Sequence, residues 1–137
     1  MEQHIYLTVD AIIFGHIQGD KHVLLIKRVN EPYKDIWAIP GGFVNDDEDL
    51  EAAAIRELYE ETNIRITNLK QLYTVGTPHR DPRFRTAAVI YYTHTDPATH
   101  IIKSGDDAKD AQWWPIDKLP PLAFDHTQIL ADAIAAQ

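Results

Sequence analysis

Three glutamates, Glu57, Glu60 and Glu61, crowd into the stretch "RELYEET" at spacings that place them on one surface if the segment is helical. Carboxylates at that spacing repel each other by roughly 0.2–0.5 kcal/mol per pair in water, and by more where partial burial lowers the dielectric. They also lie toward the end of their segment, where a helix macrodipole disfavours negative charge. A solvated acidic face is the plain alternative, but three coinciding penalties weigh against it. A divalent cation offsets all three. An oxygen-only cluster in a chain with no cysteine suits Mg²⁺ or Mn²⁺ better than zinc. Arg56, one turn before Glu60, is placed to hold a carboxylate in orientation.

The element that must position these groups is a helix. No glycine or proline falls between Asp49 and Thr62, and Leu, Ala, Glu and Arg dominate there. Asp46 or Asp47 is the expected cap. At about 100° per residue, Leu50, Ala54, Ile55 and Leu58 form an apolar stripe, and the carboxylates project beside it instead of opposite it. Upstream, Gly41 and Gly42 in "WAIPGGFV" permit unusual backbone conformations and a close approach of the chain to a ligand. They are expected to form a turn between a strand and the helix, and an ordinary glycine turn fits these two residues equally well. Taken with Glu48, six residues beyond Gly42, they suggest a metal site walled partly by backbone carbonyls.

The remaining pattern is α/β. His4 to Phe14 and His22 to Val29 look like a hairpin joined by "HIQGDK"; "LKQLYTVG" and "RTAAVIYYTHT" look like further strands, the second apolar enough to be central. "AQWWPI" is a short strand ended by Pro115, and Trp113 and Trp114 alternate faces on it. The segment from Asp125, a plausible N-cap, carries Ile129, Leu130, Ala133 and Ile134 at helical spacing. No repeat or linker divides the chain, so one domain over 1–137 is expected.

A length of 137 residues with 45% hydrophobic content is enough for a single core. No apolar run is long enough to span a bilayer and no signal-peptide pattern opens the chain, so no membrane association is expected and the cytoplasm is the default. The net charge of −8 argues against duplex nucleic acid as a partner. An anionic small molecule would need local cations. Arg80, Arg83 and Arg85 in "HRDPRFR" could grip phosphates bidentately, at least one of them being expected at a ligand, against a solvated turn paired with Asp81. Arg28, at a strand end, is a weaker candidate. Phe43 and Trp37 could offer aromatic faces, although Trp37 suits the core better. The seven histidines lack a short-spaced zinc pair, and His126 is placed to cap or orient the last helix.

Gly42, Glu48, Arg56, Glu57, Leu58, Glu60, Glu61 and Ile64 match the Nudix box, G-x5-E-x7-R-E-U-x-E-E-x-G-U, with Asn63 in place of its last glycine. Asparagine is the next-best residue for the left-handed conformation a helix-ending glycine adopts, so the helix end is expected to survive. "WAIPGGFV", "GTPHRDPRFRTAAVIYY", "GDDAKDAQWWPIDKLPPLAFDH" and the last helix further resemble the Nudix subgroup that hydrolyses ADP-ribose. This resemblance implies an α/β/α sandwich with a mixed β-sheet. It implies Mg²⁺-dependent, or Mn²⁺-dependent, hydrolysis of a small-molecule nucleotide substrate, ADP-ribose to AMP and ribose 5-phosphate. Glu57, Glu61, nearby Glu60 and the backbone carbonyl of Gly41 are then the implied metal ligands. The general base varies in such proteins between the box helix and a later acidic loop, which makes Asp106 and Asp107 candidates for that base or a further ligand; a solvated acidic turn fits them as well. Other nucleotides (a nucleotide sugar, a dinucleotide, a damaged nucleoside triphosphate) are the alternative substrates. A non-catalytic ADP-ribose sensor is the alternative role, opposed by the full carboxylate set and by the lack of a basic DNA-reading segment before Gln137. Related domains often dimerise, making a homodimer the implied assembly, and no residue pattern specifies an interface.

Overall fold

The strand Tyr6–Ile17 (β1) is buried without a break from Val9 to Gly15. Such a run is the signature of a strand covered on both faces. Successive side chains on a strand point to opposite sides, and here Val9, Ala11 and Ile13 join one apolar cluster while Ile12 and Phe14 join another. Each cluster is closed by a helix. The helix Leu50–Thr62 (α1) contributes Ala53, Ala54 and Leu58 to the first, and the helix His126–Ala135 (α2) contributes Ile129, Leu130 and Ala133 to the second. The computed structural model describes residues 1–137, and its architecture is the expected α/β/α sandwich.

Between the helices lies a mixed sheet. Alongside β1 it contains Asp20–Arg28 (β2), Trp37–Ala38 (β3), Gly41–Phe43 (β4), Lys70–Val75 (β5), Thr86–His94 (β6) and Ala108–Pro115 (β7). Its main path runs β3-β2-β1-β6-β5, with β4 added to β1 and β7 to β2. Only β1 and β6 pair in parallel, over Tyr6 to Phe14 against Thr86 to His94, which makes β6 as central as its apolar sequence suggests. β1 and β2 form the expected hairpin, with Gly19 at positive φ in its turn. Trp113 packs toward the α1 cluster and Trp114 toward the α2 cluster, where it meets Trp37 edge-on at 5.2 Å. No helix is long and apolar enough to cross a membrane.

Three local expectations need correction. Asp49, not Asp46 or Asp47, occupies the N-cap of α1, and its side chain makes no capping bond. The buried face of α1 is rotated from the predicted stripe: Leu50 and Ile55 are only partly covered, whereas Glu57 and Glu61 are buried beside Leu58. Burial of two acids on a core-facing surface cannot be anticipated from hydrophobic periodicity, which assigns charge to the outside. Gly41 and Gly42 form the strand β4, not a turn, and neither has positive φ.

Asn63 ends α1 in the left-handed conformation at φ 67°, its amide bonded to the Tyr59 carbonyl and its side-chain Nδ2 donating to Ile101 O at 3.0 Å. A residue with a β-carbon and no local polar compensation loses about 1–2 kcal/mol there. Asn63→Ala should therefore lower the urea-unfolding free energy by about 1 kcal/mol while Asn63→Gly keeps or raises it; equal stabilities for the two variants would contradict this account of the helix end.

Candidate active site

The two glycines of β4 are required by close approach. A β-carbon on Gly42 would lie 2.6 Å from the Glu57 carboxylate, and one on Gly41 would fall on Asp10 Oδ1 and the Val9 carbonyl. Their absence lets α1 press its acids against the sheet. In the β4–β1 ladder, Pro40 O accepts from the Ala11 amide and the Val44 amide donates to Leu7 O. Backbone groups alternate along a strand, so the amide and carbonyl of Gly41 face away from β1. The Gly41 amide donates to Glu61 Oε1 at 2.9 Å, and Phe43 O, turned the same way, accepts from Arg56 at 3.1 Å.

Arg56 does more than its expected contact with Glu60. Its Nε and one terminal nitrogen grip both oxygens of Glu48 at 2.6 and 2.9 Å, and the other terminal nitrogen donates to Glu57 at 2.8 Å and to Glu60 at 3.3 Å. The bonds to Glu48, then those to Glu57, hold this guanidinium firmly charged, and its bonds hold Glu48 below the usual carboxylate range. The acids are thereby sorted. Carboxylate oxygens of Glu57, Glu60 and Asp106 come within 4.8 Å of one another, whereas Glu61 is turned aside to Gly41.

Glu57 and Glu61 border a cavity of about 370 Å³ that also receives Asp107, Phe43, Arg28, Arg80 and Arg83. Arg85 stands outside it, bonded to the Gly76 carbonyl at 3.0 Å. The three cavity arginines differ in what they have left to offer. The Arg80 side chain is 6% exposed and is clamped bidentately to Asp125 at 2.7 and 2.9 Å. Arg83 pairs with Asp81 at 2.9 Å and lies against Phe84. Arg28, the weakest of the four arginines by sequence, has no carboxylate partner; it donates to Pro32 O and covers the Phe124 ring at 5.0 Å. Burial, then the neighbouring Arg83, pulls its pKa down, which marks a cation whose surroundings favour an incoming negative charge.

Two residues of this cavity escaped the sequence reading or were underweighted by it. Asp10 sits mid-strand in β1, 7% exposed, and His126 opens α2 at 4% exposed. A lone acid within "LTVDAIIF" was the available signal, because charges are rarely buried without a use. Asp125 precedes α2 as expected, but its side chain makes no cap and binds Arg80 instead. His126 Nδ1 accepts the Ile39 amide at 3.0 Å, which ties α2 to the chain leading into β4.

The NUDIX domain model matches residues 7–135 of this chain. The chain belongs to the Nudix family. Over 129 residues, 93% of its length, it is 41% identical to an ADP-ribose pyrophosphatase of Methanocaldococcus jannaschii, covering 75% of that protein. It is 36% identical over 133 residues to the ADPR responsive transcriptional repressor NtrR of Acinetobacter baylyi, covering 94% of this chain and 53% of the repressor. Among solved structures, the NUDIX domain of Shewanella oneidensis NrtR complexed with ADP ribose superposes with a TM-score of 0.92 at 34% identity, over 98% of this chain and 90% of that one. A bifunctional NMN adenylyltransferase/ADP ribose pyrophosphatase of Francisella tularensis, complexed with AMP and a manganese ion, gives 0.84 at 32% identity over 98% of this chain and 42% of its own.

Burial dominates the electrostatics of this Nudix site. It pushes Asp10 from 3.8 up to about 7, against the pull of Arg80, and Glu57 from 4.5 up to about 7, against Arg56. It lifts Glu61 well above its ordinary value despite the Gly41 amide. His126 moves oppositely, from 6.5 down to about 4, because burial disfavours imidazolium. Between pH 5 and 6.5 the folded chain therefore keeps protons on Asp10 and Glu57 that the unfolded chain has released, with Glu61 shifted in the same direction, and lacks one that unfolded histidine has bound. The carboxyls make stability fall as pH rises through this window and the imidazole makes it rise. With Asp10 and Glu57, joined by Glu61 in direction, set against one histidine, chelator-treated protein should show a falling urea midpoint from pH 5 to 6.5; a rising midpoint would show that these acids are ionised in the folded state.

Proposed function

We propose that this chain is a divalent-metal-dependent Nudix pyrophosphohydrolase that cleaves ADP-ribose to AMP and ribose 5-phosphate. One observation carries the reading: the Glu57, Glu60 and Asp106 carboxylates converge beside a cavity into which Arg28 and Arg83 project. The donor set fits a hard divalent cation, since it offers only oxygens and places a desolvated carboxylate against a glycine with no side chain to relieve it. Glu57, Glu60 and Asp106 would hold it, with Glu61 and the outward-facing carbonyl of Gly41 adjacent. Mg²⁺ is the proposed ion and Mn²⁺ a substitute. When bound, such a cation supplies neutralisation of the pyrophosphate oxygens and a more acidic water.

The chain's own residues account for the remaining requirements. Arg28 takes a phosphate oxygen because no carboxylate competes for it, and Arg83 adds charge over a surface that includes Phe43 and Phe84. Asp107 accepts the proton of the attacking water; its own carbonyl accepts the Val29 amide, which fixes the acidic loop to the end of β2. The water oxygen bonds to one phosphorus, the bridging P–O bond breaks, and the departing phosphate keeps the bridging oxygen. Arg56 keeps Glu57 and Glu60 in place as a positioning residue. Arg80, neutralised by Asp125, fixes the cavity wall, and Arg85 stays outside.

A sensor that binds ADP-ribose without turnover is the second reading, favoured by the likeness to the NtrR repressor. Purified protein with ADP-ribose and Mg²⁺ should release AMP, and a chelator should stop it. Calorimetric binding of ADP-ribose with no AMP release would select the sensor. Glu61→Gln should lower kcat by about a hundredfold or more and leave the unfolding midpoint unchanged or raised, since it removes a buried ionisable group; an unchanged kcat would remove Glu61 from the site.

A further inference from the structure

Asp10 is the buried acid for which the mechanism above has no use. Its position in β1 directs it to the α2 face, and it lines the cavity although it accepts no hydrogen bond from any side chain or amide of the protein. A carboxyl so placed is costly unless something in the cavity donates to it. The group facing it is His126. Because Nδ1 of that ring accepts the Ile39 amide, Nδ1 is the bare nitrogen and the proton resides on Nε2. This Nε2–H likewise has no acceptor in the protein, and it stands 4.0 Å from Asp10 Oδ2. The gap exceeds a hydrogen bond, yet one oxygen at about 2.8 Å from each atom closes it.

Above pH 7, where Asp10 is ionised, that oxygen must accept one hydrogen bond and donate another, which is the chemistry of a hydroxyl. Phosphate oxygens only accept, so one bonded to the His126 Nε2–H would leave an ionised Asp10 without a donor. A purine edge carries its donor and acceptor on separate atoms. The surrounding wall, Ile26, Ala38 and Ile39, is apolar and suits the carbon face of a sugar ring. We infer that Asp10 and His126 form a sugar-hydroxyl subsite, in which one ribose hydroxyl of the substrate accepts from His126 Nε2–H and donates to Asp10. The inference rests on ADP-ribose, or a nucleotide with the same sugars, being the ligand. It makes Asp10 a specificity determinant of this Nudix domain, distinct from the metal-binding acids of α1.

The experiment crosses substrate and protein deletions. Wild-type protein, Asp10→Asn and Asp10→Ala are each assayed for kcat/KM, and for Kd by calorimetry, against ADP-ribose and analogues lacking one hydroxyl at each position of either ribose. An analogue with hypoxanthine in place of adenine completes the panel. One deoxy analogue should cost the wild type about 10–100-fold, the usual range for a hydrogen bond to a charged or strongly polar group. In Asp10→Ala that penalty should shrink at least about threefold, the bond from His126 accounting for what remains, with Asp10→Asn intermediate. The sugar on which the sensitive hydroxyl lies shows which ribose occupies the subsite. Removing a desolvated acid leaves both variants at least as stable as wild type, so their unfolding midpoints check that they fold. Deoxy analogues all within threefold of ADP-ribose in the wild type, or a penalty undiminished in Asp10→Ala, would overturn the subsite. So would a penalty seen only with hypoxanthine, or a tenfold loss of Mn²⁺ affinity in nucleotide-free Asp10→Ala, which would make Asp10 part of the metal site. Wild-type protein that neither cleaves nor binds ADP-ribose would instead refute the substrate assignment, and the subsite with it.

Discussion

Two carboxylates of α1, Glu57 and Glu61, are turned into the protein on the same face as Leu58, where an unpaired charge is most expensive. The rest of the site is arranged around that burden. Glycines at 41 and 42 let the helix approach the sheet, the Gly41 amide meets Glu61, and Arg56 spans Glu48, Glu57 and Glu60. These contacts do not remove the cost, since burial still drives both acids above their ordinary pKa values. A dication shared by Glu57, Glu60 and Asp106, as proposed above, would offset what the protein leaves uncompensated.

The far side of the cavity follows a different logic. There the charges are largely consumed within the protein: Arg80 by Asp125, Arg83 by Asp81. Besides the partly exposed Arg83, two groups are left with capacity, the Arg28 guanidinium and the Asp10–His126 pair. The first suits an anion and the second a neutral hydroxyl. One cavity thus presents an anion-binding end at the edge of β2 and a proposed sugar-reading end between β1 and α2. Because Asp10 and Gly41 are register partners in β1 and β4, a shift in either strand would disturb both ends together.

Much of this was visible in the sequence because it is local. The carboxylate spacing, the helix Leu50–Thr62 and the left-handed Asn63 follow from residues within one helix and its cap. The sandwich was readable from the strand and helix patterns together with the Nudix resemblance. What escaped depends on contacts across the chain. β3 and β4, two and three residues long, are too short to show any periodicity. Arg80 looked like a phosphate ligand because its partner Asp125 lies 45 residues away. Arg28 looked weaker for the converse reason, since only the fold shows that no acid reaches it. The Asp10–His126 pair joins the first strand to the last helix, and no spacing rule connects them.

The central claim is that the acids of α1 converge on a divalent cation. Anomalous diffraction from crystals grown with Mn²⁺ tests it most directly. A peak bounded by Glu57, Glu60 and Asp106, close to Glu61 and the Gly41 carbonyl, is the predicted result. An ADP-ribose molecule in the cavity with no manganese beside α1 would contradict it.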